Sequence, residues 1–334
     1  METMKTISLD VHHDNTQLLV VGTGGEILIE CKVPTKAGAL KKMVASIKGP
    51  KRVVFEEGPM SGMIKDALQG VADQIISCDP TRNALIKKDE NANDEKDARH
   101  LATLAMANAL HPVYVPVEPY RTTRRLVQHD SQLTDATIKI KNQLKALCRR
   151  ESIPCRGTAI YTAEGKQAAL KKLNDPFLRW QLRSLYRQLE NLRQERTGLH
   201  RVLIKKDREM PIIRKLRTIP GVARLIGRTL AAWLADPNRF KTRNALSSYG
   251  GLGIGQGVTN WKVTGAARAS RRGQRALKRV LFIAAQAAIK GDNALAKRYQ
   301  AHCLAGWNVK KATRDIARHI LFAAWAIWKS GKEY

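Results

Sequence analysis

Thr6-Ile7-Ser8-Leu9-Asp10-Val11 is an apolar run with one acid near its end. Its β-branched residues and alternation predict a strand, and Asp10 lies where that strand stops. A second run, Val53-Val54-Phe55-Glu56, also ends on a carboxylate. It closes a buried strand predicted over Lys51–Glu56. Two acids at two strand ends are the first sign of a site.

The pattern extends outward from these runs. Gln17–Gly22 and Glu26–Val33 read as strands joined by a tight turn at Gly24-Gly25. Ala37–Ile47 reads as a helix. Gly58-Pro59 precedes another helix that runs to about Gly70, and Ile75–Cys78 is a short strand. Asp94–Leu110 is a helix that His111-Pro112 ends. Three strands, a helix, then strand, helix, strand and helix make an RNase H-like layout.

Asp94 and Asp97 fall in Asn93-Asp94-Glu95-Lys96-Asp97-Ala98-Arg99-His100. Residues three apart share a helix face. With Asp10 and Glu56 they give four carboxylates that one small α/β domain could aim at a point. Hard divalent cations need such oxygen donors. Two ions held together stabilise both the attacking and the leaving oxygen of a phosphodiester. Taken singly, the acids have plainer readings. Asp10 is then a surface acid, and Asp94 and Asp97 compensate a helix dipole. Glu56 on a strand favours a metal site for the set. Glu57 is its neighbour, but adjacent strand residues point to opposite faces. His12 and His13 read as loop histidines.

The 334 residues allow a proper core and more than one domain. The net charge is +30, and it is unevenly placed. Residues 1–100 hold 14 Lys/Arg against 15 Asp/Glu, whereas residues 101–334 hold 45 against 14. A polycation beside a neutral domain points to nucleic acid, where phosphate neutralisation supplies affinity. The basic residues are not gathered into one amphipathic helix, and no run reaches transmembrane length, so no membrane partner is expected. Five scattered cysteines without CxxC spacing indicate neither a disulfide framework nor a zinc site. Reduced thiols suit a cytosol.

From Tyr120 to Asp207 the chain is polar and helix-prone. Leu126, Leu133, Ile138, Ile140, Leu144 and Leu147 recur at helical spacing. After a break at 154–165, Leu173, Leu182, Leu185, Leu189 and Leu192 do the same. Two long antiparallel helices are predicted, as a coiled coil that serves as a spacer or dimer arm. An Arg-rich face with Arg121, Arg124, Arg125, Arg149 and Arg150 could track phosphates. Further on, Ile219-Pro220-Gly221-Val222 precedes a helical Leu225–Leu234. This turn is similar to a helix-hairpin-helix element, whose backbone N–H groups near Gly221 receive a DNA phosphate. An ordinary helix-connecting turn is the other reading.

Tyr249-Gly250-Gly251-Leu252-Gly253-Ile254-Gly255-Gln256-Gly257 is Gly-rich, but no Gly-Lys-Ser/Thr closes it as a P-loop. It also lacks the context of a dinucleotide fold. The basic tail that follows (Arg268, Arg271, Arg272, Arg275, Lys278, Arg279) is expected on a helix that binds phosphates. Trp307, Trp325 and Trp328 read as packing residues, and Trp261 as packing or base-stacking.

Together these pieces resemble the DEDD transposase family of insertion sequences, over nearly the whole chain. That family includes bridge-RNA-guided recombinases and the related pilin-gene DNA invertases. The resemblance rests on Leu9-Asp10-Val11, Phe55-Glu56-Glu57-Gly58, Asp94-x-x-Asp97-Ala98-Arg99, Ile219-Pro220-Gly221-Val222, Tyr249-Gly250-Gly251-Leu252 and Ser270-Arg271-Arg272-Gly273 with Leu277-Lys278-Arg279. Their order and spacing carry more than any one of them.

The resemblance implies a RuvC-like, RNase H-like catalytic domain at 1–118, a coiled-coil arm at 119–208 and a mostly helical transposase domain at 209–334. It implies Mg²⁺, with Mn²⁺ as a substitute, on Asp10, Glu56, Asp94 and Asp97. It implies donor and target DNA, a structured guide RNA, assembly as a dimer or tetramer, and a nucleoid-associated place in a bacterial-type cytosol. The family's C-terminal domain supplies a serine nucleophile. Counted without gaps, that position falls on Thr259, which also offers a hydroxyl. Ser270, Ser248 or water remain alternatives. Two further readings stand beside recombination: a metal-dependent junction endonuclease that uses water, and a catalytically silent nucleic-acid-binding protein.

Overall fold

The computed structural model describes residues 4–84, 94–259, 262–269 and 273–334. The chain divides into two compact units, residues 1–117 and 118–334.

The first unit opens with β1 (Lys5–Val11), β2 (Asn15–Val21) and β3 (Ile27–Pro34), followed by α1 (Ala37–Ser46), β4 (Lys51–Glu56), α2 (Ser61–Leu68) and β5 (Gln74–Cys78). A short α3 (Pro80–Ala84) and the longer α4 (Asp94–Met106) complete it. The five-stranded sheet has the order β3-β2-β1-β4-β5. β1–β2 and β2–β3 pair antiparallel, whereas β1–β4 and β4–β5 pair parallel. Each predicted strand forms within a residue or two of its expected bounds.

Strand alternation divides the core into two layers. Ile7, Leu9, Leu18, Val20, Val53 and Phe55 pack with Leu40 and Val44 of α1 and Ile64 and Leu68 of α2. On the opposite face Leu19 and Val21 meet Ala98 and Ala102 of α4, while Val54 and Cys78 meet its Leu101 and Ala105. Lys51, only 9% exposed, turns its ammonium to the carbonyls of Val44 and Ile47 at the end of α1. A buried cation is tolerated there because it meets the negative end of the helix. α4 stops earlier than expected, and Asn108 leaves it with φ +52°.

The second unit begins with α5 (Tyr120–Arg150), α6 (Ala163–Lys171) and α7 (Pro176–Lys206). α5 and α7 are each 31 residues long and pack antiparallel. Val127 and Leu133 meet Leu199 and Leu203 at one end, and Leu144 and Leu147 meet Leu182 and Leu185 at the other. Asp130, 3% exposed, accepts hydrogen bonds from Arg196 Nε (2.9 Å) and His200 Nε2 (2.8 Å) across the pair. Ile138 departs from the predicted stripe and is 46% exposed.

The chain continues through α8 (Ile212–Leu216), α9 (Arg224–Leu234), α10 (Arg243–Tyr249), β6 (Ile254–Thr259), β7 (Lys262–Ala269), α11 (Arg275–Ala288), α12 (Ala294–Leu304) and α13 (Val309–Ser330). Leu230, Leu277, Leu281, Ile316 and Ile320 form the centre of one helical core. Trp307, Trp325 and Trp328 pack as expected. Trp325 Nε1 donates to the Pro237 carbonyl at 2.8 Å, and Trp328 lies against Tyr120 at 5.8 Å between ring centres. Trp307 stacks on His302 at 4.0 Å. Trp261 lies outside the described residues.

Candidate active site

Leu9 of β1 pairs with Phe55 of β4 in parallel register, so Asp10 and Glu56 are the next residues along two adjacent strands. Ser8, Asp10, Val54 and Glu56 share one face by alternation. That face is the one α4 covers, since Ser8 Oγ donates to the Ala98 carbonyl at 2.7 Å and Val54 packs with Leu101. Asp97 precedes Ala98 and lies one turn before Leu101. Asp94 begins the same helix. The sheet and α4 therefore place Asp10, Glu56 and Asp97 at the same face of the sheet.

The Asp10 carboxylate receives His12 Nε2 at 3.1 Å and is 24% exposed. Asp97 is half-buried, and Glu56 is exposed. Across β1–β2, Asp10 stands opposite Gln17, which is 4% exposed. Gln17 Oε1 is buried and has no hydrogen-bond partner among the described residues. A cleft of about 430 Å³ beside it is lined by His12, His13, Asp14, Asn15, Gln17 and Lys32. Glu30 on β3 receives Arg99 of α4 at 2.7 Å. The Arg99 hydrogen bond, more than any other influence, holds its carboxyl below the usual range. Arg99 of the Asp97-Ala98-Arg99 motif thus fastens α4 to the sheet.

Among the described residues, no three acids, histidines or cysteines already form a closed metal cluster. The donor chemistry nevertheless fits a hard divalent cation. It consists of carboxylates on one face beside a buried carboxamide oxygen that lacks a donor. Gln17 was not singled out in the sequence. Its signal was there: a polar residue within the apolar run Gln17–Val21, paired with a strand-end acid.

In the second unit the Gly-rich stretch forms a hairpin, which sequence reasoning missed. Val258-Thr259 and Val263-Thr264 are β-branched runs three residues apart, a usable hairpin signal. Thr259 ends β6 and pairs with Lys262, so it stands at the hairpin's far end. The base is clasped by glycines. Gly273 has φ +101°, and a Cβ there would lie 2.5 Å from Gly251 Cα and 2.6 Å from the Ser248 carbonyl. Gln274 N–H donates to the Tyr249 carbonyl at 2.8 Å, joining the two motif segments. Ser248 is exposed on α10.

The predicted phosphate-binding residues have varied surroundings. Arg124 donates to the Ala232 carbonyl (2.7 Å) and the Trp233 carbonyl (3.2 Å) at the end of α9. Arg121 pairs with Glu118, whereas Arg125 is exposed. Arg279 binds Asp135 at 2.8 Å and Ser131 at 3.2 Å. Arg275 and Arg279 are exposed on α11, and Lys278 is half-buried there. The expectation of one helix for the whole basic tail is corrected: Arg268 belongs to strand β7, because the chain is still paired with β6 there. Ser270, Arg271 and Arg272 lie outside the described residues. Gly221 has φ +81°, and a Cβ there would lie 2.2 Å from the Ala284 carbonyl, so its turn needs glycine to pack on α11.

A mixed sheet with acids at adjacent strand ends, covered by a helix that begins with two more, is consistent with an RNase H-like DEDD domain. Residues 7–151 match the DEDD model for IS110-type elements, described as "Transposase". Residues 213–300 match the model described as "Transposase IS116/IS110/IS902 family". No curated protein matches the chain. The two family matches together span well over half of the chain, and it belongs to the DEDD transposase family of insertion sequences. It is a transposase or recombinase, and its substrate is DNA. Among the described residues, no helix is long and apolar enough to cross a membrane.

Proposed function

We propose that this protein cuts and exchanges DNA strands with the carboxylates of its first unit and a hydroxyl of its second. The adjacency of Asp10 and Glu56 on the face covered by α4 carries this reading. Asp10, Glu56, Asp94 and Asp97 would hold Mg²⁺, or Mn²⁺ in its place. Such an ion, when bound, neutralises developing charge on a scissile phosphate. His12 steadies the Asp10 carboxylate, and Arg99 keeps α4 on the sheet through Glu30.

Thr259 at the hairpin end would supply the nucleophile. Its Oγ bonds to phosphorus, its proton is released, and the strand's ester oxygen leaves, so one strand end becomes covalently attached. Arg268, Arg271, Arg272, Arg275, Lys278 and Arg279 would bind phosphates. The turn at Gly221 and the Arg125 side of the helical arm add backbone contacts. We read residues 119–208 as a coiled-coil arm within an oligomer and residues 209–334 as the transposase domain, with a structured RNA guiding target choice.

The test is incubation of protein, Mg²⁺ and labelled substrate DNA, followed by a search for a protease-sensitive protein–DNA adduct. An adduct lost in Thr259→Val supports the covalent reading. Clean cleavage with 5′-phosphate ends and no adduct points to the water-using endonuclease instead.

A further inference from the structure

The far end of the α5–α7 pair has its own small core. Leu144, Leu147, Ile153, Ile160, Leu182 and Tyr186 enclose it, with α6 packed alongside. Yet Phe177 is 83% exposed and Trp180 is 67% exposed. Spaced three apart on α7, they share a face, with ring-bearing carbons about 5–6 Å apart. Among the described residues neither ring shows a ring–ring or cation–π contact, and both stay largely open to solvent. Their backbone is fixed: Asp175 caps α7 by accepting from Phe177 N at 2.7 Å, and Pro176 starts the helix. Rigid aromatic rings bind at little entropic cost.

The surroundings select the occupant. Residues 141–187 hold eleven Lys/Arg against three Asp/Glu, and Lys171, Lys172, Arg183 and Arg187 are exposed. A second copy of this tip would bring the same excess of positive charge and be repelled. A polyanion with unpaired bases complements both features, because bases stack on the rings while phosphates meet the cations. We propose that Phe177 and Trp180 form a stacking platform for the unpaired bases of single-stranded nucleic acid. The platform requires neither the metal site nor Thr259, so it stands whether or not the nucleophile assignment holds.

The test uses the full chain with Phe177→Ala/Trp180→Ala, titrated against short oligo(dT), short oligo(U) and a duplex. Single-strand affinity should fall about tenfold or more. Duplex affinity should stay within about twofold, and the slope of log K against log salt should not change, because no cation is removed. Arg183→Gln should instead lower that slope, and Phe177→Tyr/Trp180→Phe, which keeps the rings, should restore single-strand binding. A 5-bromouracil strand should crosslink to residues 176–183. The oligo(dT) and oligo(U) arms tell a displaced DNA strand from an RNA. Unchanged single-strand affinity, or an equal loss on duplex, overturns the proposal. So does loss of self-association in sedimentation with nucleic-acid binding intact, which would make the rings an interface between copies.

Discussion

Ser8 and Ala98 are 90 residues apart in the chain, and the Ser8 hydroxyl donates a buried 2.7 Å hydrogen bond to the Ala98 carbonyl. That bond joins β1 to α4 one pleat before Asp10 and one residue after Asp97. Replacing Ser8 with alanine removes the hydroxyl that ties this helical carbonyl to β1. Stability should fall by about 1 kcal/mol, read by urea denaturation. DNA cleavage should fall more than DNA binding, because the helix that carries Asp94 and Asp97 loses its anchor.

Asp10→Asn and Glu56→Gln keep size and shape but remove the charge needed for a divalent cation. Cleavage should drop at least about a hundredfold, while gel-shift affinity for DNA stays within about twofold. Chelation of wild-type protein should reproduce the loss, and added Mg²⁺ should reverse it. Persistent cleavage in Asp10→Asn would remove that residue from the catalytic set.

Gln17→Leu replaces a buried oxygen that lacks a donor with an apolar group of similar size. In chelator the variant should stay within about 1 kcal/mol of wild type, because relief of the unsatisfied acceptor is offset by loss of the Gln17 side-chain hydrogen bond to Glu30. With Mg²⁺ present, the wild type should gain more in thermal midpoint than the variant. Equal gains would separate Gln17 from the cation site.

Gly273→Ala should loosen the clasp at the hairpin base. A Cβ would lie 2.5 Å from Gly251, and φ is +101°. The strain alone costs about 1–3 kcal/mol, and any activity that depends on Thr259 should fall with it. Thr259→Ser, which keeps the hydroxyl and sheds a methyl, should retain adduct formation that Thr259→Val lacks.

Burial raises the Asp130 pKa, but hydrogen bonds from Arg196 and His200 outweigh it and hold the carboxyl below its ordinary value. Its stabilisation is therefore complete above the unfolded value of about 3.9 and is lost as pH falls through the lower folded value. Asp130→Ala should cost about 2 kcal/mol at neutral pH, less than for a fully buried pair because Arg196 and His200 are partly solvated. Denaturation across a pH series should show the gap between wild type and variant closing below about pH 4.

The sequence alone determined the five strands of the first unit, through alternation in β1 and a continuous β-branched apolar run in β4, but not the β6–β7 hairpin. It located the acids at strand ends, the charge division between residues 1–100 and 101–334, and the two long helices. Those properties need no knowledge of what each segment touches. Tertiary structure decided which strands are neighbours. Only the insertion of β4 beside β1 brings Asp10 next to Glu56, and only the packing of α4 through Ser8 and Arg99 brings Asp97 to the same face. Gln17 acquired meaning through its register partner Asp10, and Gly273 through its contact with Gly251. Arg124 meets the carbonyls of Ala232 and Trp233 at the end of α9, more than a hundred positions along the chain. The same side chain can bind solvent, phosphate or its own backbone, and contacts distant in sequence make that choice.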